Sequence, residues 1–288
     1  VERNIVGNKW YLSGRKLLDQ IKETEYPDHM AAIWYIGQMG LVIKWKGTII
    51  YIDPVLNDLF RPDGISRRLY PPPYTGQMVD RVDWVICSHN HADHMNADTL
   101  KPMWENNRHM RVVVPYPVTK VLECSGIPEH AIVGAKEFEP VSLTEEIQLL
   151  PVGAAHESYE TDTSGNQCYL GYFLDLGGIR IYHSGDTMLT ERLLTDIKNK
   201  GPITAAFLPV NGTDLERRGR GIVGNMDGRD AAYLAAEAGV DLVVPLHYDM
   251  VEGNTENPLL FAFYMEELYP GRKYEIMKLG QRLIVEKV

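Results

Sequence analysis

The segment Ser88-His89-Asn90-His91-Ala92-Asp93-His94 narrows the possible folds of this chain more than any other stretch. Three of the nine histidines and one aspartate fall within six positions. A short apolar run, Trp84–Cys87, delivers the chain into them. On a strand, residues i and i+2 share a face, and in a tight loop after a strand the same offset can aim two imidazoles at one point. His89 and His91 fit that geometry. Asp93 and His94 follow at once and can face a second point nearby. Neutral imidazole and carboxylate together suit Zn, Mn or Fe. The plain alternative is a polar loop with chance histidines, and the density of ligand-type side chains argues against it.

The surrounding pattern is one of early strands followed by alternating strands and helices. Trp10 to Glu25 carries Leu12, Leu17, Leu18 and Ile21 at near-helical spacing, so a helical segment is expected within residues 1–30. Three strand-like runs follow, Ala31–Ile36, Leu41–Trp45 and Thr48–Asp53, with turns at Gly37–Gly40 and Lys46-Gly47. Asn57 to Gln77, rich in Pro, Gly, Arg and Tyr, reads as a long surface loop, and loops of that length often border active sites. Strands are expected at Arg111–Val114, Ile147–Val152, Tyr169–Asp175, Ile179–Tyr182, Ala205–Leu208 and Val240–Pro245. Helices are expected at Val118–Cys124, from Asp227 or Gly228 to Ala238, and at Pro258–Leu268. Gly239 stands where a helix C-cap belongs. Tyr274–Lys278 and Arg282–Glu286 read as a terminal hairpin around Gly280. No internal repeat or linker is visible, so residues 1–288 are expected to form one domain of sheets covered by helices, an α/β class.

Composition removes several functions. The net charge is −10, which disfavours a nucleic-acid partner. No apolar run approaches the 18 or so residues that span a bilayer. The opening Val1-Glu2-Arg3-Asn4 lacks the basic-then-apolar build of a signal peptide. Cys87, Cys124 and Cys168 are odd in number, widely spaced and form no CxxC, which fits a reducing cytoplasm. The expected partner is a small-molecule substrate.

More ligand-type residues sit at expected strand ends. His156 follows Ile147–Val152 and Gly153-Ala154-Ala155. Asp186 follows Ile179–Tyr182 in Tyr182-His183-Ser184-Gly185-Asp186. His247 follows Val240–Pro245 in Pro245-Leu246-His247-Tyr248-Asp249. The small residues before His156 and at Gly185 would let backbone approach a metal closely.

In this order and spacing, His89–His94 with His156, Asp186 and His247 resembles the metallo-β-lactamase superfamily over about residues 31–288. The resemblance implies an αββα sandwich with metals at one edge of two sheets. It implies that His89, His91 and His156 hold one divalent ion and that Asp93, His94 and His247 hold a second, with Asp186 bridging. Asp at the bridging position resembles the hydrolase branches. Within these, Ile33-Trp34-Tyr35-Ile36-Gly37, Ile181–Asp186, Arg220-Gly221-Ile222 ahead of Met226, and Val244–Asp249 are similar to the ascorbate-6-phosphate lactonase group. The chain departs from that lactonase in carrying His156 and in its shorter tail, which makes the two-metal set fuller. A homo-oligomer is expected.

Two ions about 3.5–4 Å apart can share one water, lower its pKa and direct it at an ester, lactone or phosphoryl centre. The expected reaction is the opening of a sugar-acid lactone, phosphorylated or not, with Zn or Mn, and with Fe as a further option. Asp93 and Asp186 are the expected catalytic carboxylates, Asp93 as proton acceptor. Asp53 resembles a carboxylate that orients a metal-bound His through its other ring nitrogen; the plain alternative is a turn Asp before Pro54. Arg220, in the cluster Arg217, Arg218 and Arg220, is a candidate for an anionic group. His183 is a candidate for contacting substrate or orienting a ligand, against the plain alternative of a structural histidine, and Tyr248 could donate to an oxyanion or simply pack at the strand end. A phosphodiesterase, an iron-dependent redox enzyme and a non-catalytic member are the competing classes. The acidic charge counts against long nucleic acids, no flavin domain is visible, and the full ligand set counts against a degenerate member.

Overall fold

The computed structural model describes residues 9–288. The expectation for Val1–Asn4, and the start of the 1–30 helical segment, lie outside the described residues. Helix α1 (Gly14–Glu23) leads into the antiparallel strands β1 (Met30–Gly37), β2 (Gly40–Trp45) and β3 (Thr48–Ile52). Then come β4 (Trp84–Ile86), α2 (Ala97–Asn106), β5 (Arg111–Pro115), α3 (Thr119–Cys124) and β6 (Ile132–Ala135), with β3 to β6 paired in parallel. The second half holds β7 (Val141–Ser142), β8 (Ile147–Gly153), β9 (Leu170–Leu176), β10 (Ile179–His183), α4 (Glu191–Lys198), β11 (Ile203–Pro209), α5 (Leu215–Gly219), α6 (Gly228–Glu237), β12 (Val240–Leu246), α7 (Pro258–Leu268), β13 (Lys273–Tyr274) and β14 (Arg282–Glu286).

The strands form two seven-stranded sheets, ordered β14-β1-β2-β3-β4-β5-β6 and β13-β12-β11-β10-β9-β8-β7. Strand alternation explains how they stack. In β1, Ala31, Ile33 and Tyr35 enter the core between the sheets, while Ala32, Trp34 and Ile36 pack under α1, α2 and α3. In β10, Ile179 and Ile181 face the interlayer core and Tyr182 packs with Leu193 of α4, Leu234 of α6 and Phe261 of α7. A strand buried on both faces cannot show the apolar–polar alternation of a half-exposed one, so these runs read as continuously apolar. The result is the expected αββα sandwich.

Each sheet also runs three antiparallel strands into parallel ones, β1-β2-β3 into β4–β6 and β8-β9-β10 into β11–β13. This shared plan is invisible as a sequence repeat. The expected terminal hairpin is a correction. β13 pairs with β12 in the second sheet, whereas β14 pairs with β1 in the first. The chain therefore crosses between the sheets at Glu275–Gln281, and Gly280, at φ +77, donates its amide to Tyr35 O (2.8 Å) on the way. Helix α2 was not expected. It contains Pro102, a residue that reads as a helix breaker, and it is capped by Asn96, which accepts from Asp98 N.

The long loop after β3 is pinned by a buried arginine. Arg68 Nη1 donates to Val55 O (2.8 Å) and Asn57 O (3.1 Å), and its Nε donates to Tyr70 O (3.1 Å). This clamp carries Leu59 and Arg67 to the site described next. Among the described residues, no helix is long and apolar enough to cross a membrane.

Candidate metal centre

All seven ligand-type residues converge where strands end. The His89–His94 segment follows β4, His156 follows β8, Asp186 follows β10 and His247 follows β12. They fall into three overlapping groups, each with ligand atoms within 4.8 Å of one another: His89, His91 and His156; His89, His94 and Asp186; Asp93, His94 and His247. Asp186 joins the ends. Its Oδ1 lies 3.3 Å from His94 Nε2, and its Oδ2 lies 3.1 Å from His247 Nε2 and 4.0 Å from His156 Nε2.

The close approach of these loops depends on Gly185. Its φ is +59, and an added Cβ would fall 2.7 Å from Ser88 Cβ and 2.9 Å from Leu170 O. The small residue therefore lets two ligand-bearing loops touch each other, in addition to any approach to a metal. His247 itself sits at φ +60, a conformation that favours glycine and that side chains tolerate only where surroundings enforce it. Its amide donates to Gln38 O (3.0 Å).

The outer nitrogens of two rings are already occupied. His94 Nδ1 lies 2.8 Å from Asp53 Oδ2, and His89 Nδ1 lies 3.0 Å from Ser88 Oγ. Asp53 is fully buried and also accepts from Ser88 N (2.7 Å) and Ser88 Oγ (2.6 Å). The Nε2 atoms of His89 and His94 are thereby left buried without hydrogen-bond partners, as is Asp186 Oδ1. Buried polar atoms without partners are costly, and a divalent cation would satisfy all three. The donor set, imidazole with carboxylate, is that of Zn, Mn or Fe. The residues present fit such an ion.

The electrostatics divide the rings. Burial, joined by the neighbouring rings, holds His89 well below the ordinary histidine range. Burial likewise pushes His156 down to about 4, so both are neutral and offer lone pairs near pH 7. For His94 burial acts downward too, but Asp186, Asp93 and Asp53 overcome it and raise the ring well above its usual value. His247 is raised in the same way, chiefly by Asp186. Burial would raise Asp186, yet His247 and His94 hold it well below the carboxylate range.

Above the centre lies a cavity of about 340 Å³, walled by His91, Asp93, His156 and Asp186 on one side and by Leu59, Arg67, Ile222 and Val251 among others. Asp93 keeps 23% of its side chain exposed there. Among the described residues the Arg67 guanidinium has no hydrogen-bond or ion-pair partner, while its backbone amide donates to Leu59 O (2.7 Å) and its carbonyl accepts from Glu252 N (2.8 Å). A second cavity of about 390 Å³ adjoins it through Arg67, Ile222 and Glu252, and adds Arg61 and Arg220.

Of the three expected substrate contacts, His183 and Tyr248 face away from the cavity and Arg220 lines the adjoining one. His183 is fully buried; its Nε2 donates to Met39 O (2.8 Å) and its Nδ1 accepts from Gly185 N (3.2 Å), so it braces two site loops and does not reach the cavity. Tyr248 packs in the core under α6 and α7 with its hydroxyl toward Met277 O (3.4 Å). Arg220 caps α5, donates to Gly253 O (3.1 Å) and lines only the adjoining cavity. Arg217 and Arg218 are tied to their own loop through Asp214 and Thr213. Sequence reasoning missed Arg67 and Gln38, which no local motif marks, and Tyr169, whose ring centroid lies 5.2 Å from that of His89 and 5.1 Å from that of His156.

Comparison with known proteins agrees with this architecture. The family described as "Beta-lactamase superfamily domain" matches residues 48–248, well over half of the chain. The UPF0173 metal-dependent hydrolase of Lysinibacillus sphaericus is 28% identical over 260 residues, covering 87% of this chain and 98% of that protein. The metallo hydrolase Igni18 of Ignicoccus hospitalis superposes with a TM-score of 0.67 at 20% identity, over 89% of this chain and 99% of its own. An isothiocyanate hydrolase from Delia radicum gut bacteria superposes with a TM-score of 0.70 at 15% identity, over 89% and 100%. These two structures share the fold. The strand order, the converging histidines and aspartates and the family match together place the chain in the metallo-β-lactamase superfamily, among its metal-dependent hydrolases.

Proposed function

We propose that this hydrolase opens a lactone of sugar-acid type at a centre of two divalent ions, Zn or Mn. The observation that carries the reading is the convergence of His89, His91, Asp93, His94, His156, Asp186 and His247 beneath one cavity. Two such ions lower the pKa of water and polarise an ester carbonyl. The rest falls to the chain. His89 and His94 present Nε2 because Ser88 and Asp53 hold their Nδ1 atoms. Asp186 stands between the two ends. Asp93 reaches the cavity with Oδ2 lying 2.8 Å from the Gln38 side-chain amide, and its other oxygen accepts the proton of the attacking water. In a lactone the leaving alkoxide stays tethered to the product, so a single cavity serves both ends of the broken bond. A volume of about 340 Å³ suits a small molecule.

The lactone preference rests on the sequence stretches similar to the ascorbate-6-phosphate lactonase group. Turnover of sugar-acid lactones by Zn- or Mn-loaded protein, followed by acid release, tests it. The expected result is ring opening that a chelator abolishes. No turnover of any lactone would sink it. Bis-p-nitrophenyl phosphate hydrolysed far faster than lactones would favour a phosphodiesterase, and an isothiocyanate belongs in the panel because a structurally similar chain hydrolyses one.

Arg67 makes the substrate an anion in this reading. An unpaired guanidinium at the cavity wall can take a carboxylate or phosphate in a forked contact. Hydrogen bonds to charged groups contribute about 1.5–3 kcal/mol. Arg67→Ala is therefore expected to raise KM for an anionic lactone about tenfold or more with kcat little changed, while KM for a neutral lactone stays put. Equal effects on both substrates would remove Arg67 from recognition. Self-association is also part of the proposal, supported by the exposed Leu259, Leu260 and Phe263 on α7.

A further inference from the structure

Gln38 occupies the turn between β1 and β2, and nothing in its local sequence marks it as functional. It is fully buried and non-glycine at φ 57, a backbone conformation that side chains rarely adopt. The turn is held from several sides. His247 N and the Tyr35 hydroxyl both donate to Gln38 O, at 3.0 and 3.3 Å, and His183 Nε2 donates to Met39 O at 2.8 Å. The side chain is therefore aimed, and it is aimed at the Asp93–His94–His247 end of the centre. One atom of its terminal amide lies 2.8 Å from Asp93 Oδ2 and 3.0 Å from His247 Nε2. The other amide atom has no partner.

The nitrogen and oxygen of a glutamine amide are told apart only by what surrounds them. Here neither orientation satisfies the neighbours by hydrogen bonds alone. With nitrogen inward, the amide donates well to Asp93. His247 Nε2 then needs a lone pair toward the amide, but the same atom stands 3.1 Å from Asp186 Oδ2, where a lone pair meets a carboxylate. If His247 Nε2 carries a proton instead, that proton meets the amide hydrogens. With oxygen inward, the amide suits a protonated His247 but sets its oxygen against the Asp93 carboxylate. The far end of the amide is unpartnered either way, so it does not choose between them. A cation among the three atoms removes the conflict, because amide oxygen, carboxylate oxygen and imidazole nitrogen then all present lone pairs to one positive charge. Contacts of 2.8 and 3.0 Å also suit neighbouring atoms set at about 90° around a shared ion about 2.0–2.2 Å from each, as in octahedral coordination.

We propose that Gln38 is a further protein ligand at this end of the centre, its amide oxygen joining Asp93, His94 and His247 around one divalent ion. The assignment rests on the reading that this end holds an ion. The alternative is a positioning role, with Gln38 donating to Asp93 and binding nothing.

Gln38→Leu and Gln38→Glu separate the two. The readouts are Zn and Mn content per chain and affinity by chelator competition, with thermal unfolding of the metal-free proteins to show that each folds. As a ligand, Gln38 lost to Leu weakens one ion about tenfold to a hundredfold and leaves the other unchanged, while Glu keeps or tightens that ion because a carboxylate oxygen replaces the amide oxygen. As a donor to Asp93, Gln38 replaced by Glu is at least as harmful as Leu, since it adds an acceptor beside a carboxylate. Should Gln38→Leu fail to fold, the Glu variant decides alone: retained or tighter binding supports ligation and weaker binding overturns it. Wild-type stoichiometry keeps the failures apart. Two ions per chain with both variants unaltered overturns Gln38 as a ligand and leaves the two-ion reading standing. Fewer than two ions in the wild type overturns that reading and the Gln38 assignment with it.

Discussion

Asp186→Asn is expected to empty the centre: metal affinity falls by more than about a hundredfold, beyond the tenfold to hundredfold typical of residues that only orient ligands, and hydrolysis falls with it. Among the described residues, Asp186 is the carboxylate in contact with histidines of both ends, at 3.3 Å from His94 Nε2, 3.1 Å from His247 Nε2 and 4.0 Å from His156 Nε2. Asparagine keeps the shape, removes the charge and turns one oxygen into a donor that faces a ring. The metal-free protein offers a second readout. Asp186 is held well below its ordinary pKa, so its contribution to stability is present above the usual carboxylate range and disappears as pH falls through the folded value. His94 and His247 are raised, so their contribution is full below about 6.5, the unperturbed histidine value, and is lost as pH rises through their folded values. Both conditions hold between about pH 4 and 6.5. The variant's deficit in unfolding free energy, about 3 kcal/mol for a broken buried pair, is expected to be largest in that window and to shrink in stronger acid. Two ions per chain bound with wild-type affinity would refute the central role of Asp186.

How much of this was legible in the sequence depends on how far each signal is local. The His89–His94 segment carries its own spacing, and His156, Asp186 and His247 stand just past apolar runs that had to be strands, so the ligand set could be assembled before the structure. Which ring atom His89 and His94 present could not be assembled, because that is decided by Ser88 and Asp53 across β3 and β4. Gln38 and Arg67 reach the centre from a hairpin turn and a long loop, and only the stacking of the sheets brings them there. His183 shows the opposite case: it lies three residues before Asp186 in sequence, yet its ring braces the backbone at Met39 and Gly185. The C-terminal strands looked like a hairpin because Gly280 between two alternating runs is a local hairpin signature. Pairing was settled instead by the open edges of β12 and β1, one on each sheet.

Asp53→Ala is expected to cost about 3–5 kcal/mol of stability, the range for breaking a buried ionic contact, and to weaken metal binding about tenfold to a hundredfold. Its carboxylate is fully buried at the end of β3, at φ +43, and three groups meet it: Ser88 N at 2.7 Å, Ser88 Oγ at 2.6 Å and His94 Nδ1 at 2.8 Å. Alanine leaves Ser88 N buried without an acceptor and His94 Nδ1 with only Ser88 Oγ at 3.4 Å, and frees the His94 ring to turn or to move its proton to Nε2, the atom that faces Asp186. Asp53→Asn sharpens the test. It keeps the volume and one acceptor oxygen, so much of the stability should return. Its amide nitrogen must then face either Ser88 or His94 Nδ1. Metal affinity should therefore stay low even where the fold recovers. A turn-forming Asp before Pro54 would behave differently: Asp53→Asn would be nearly silent, because Asn serves turns as well as Asp does, and metal affinity would not move in either variant. Chelator competition alongside denaturant unfolding of the metal-free proteins reads both quantities, and full metal affinity in Asp53→Ala would reduce Asp53 to a turn residue.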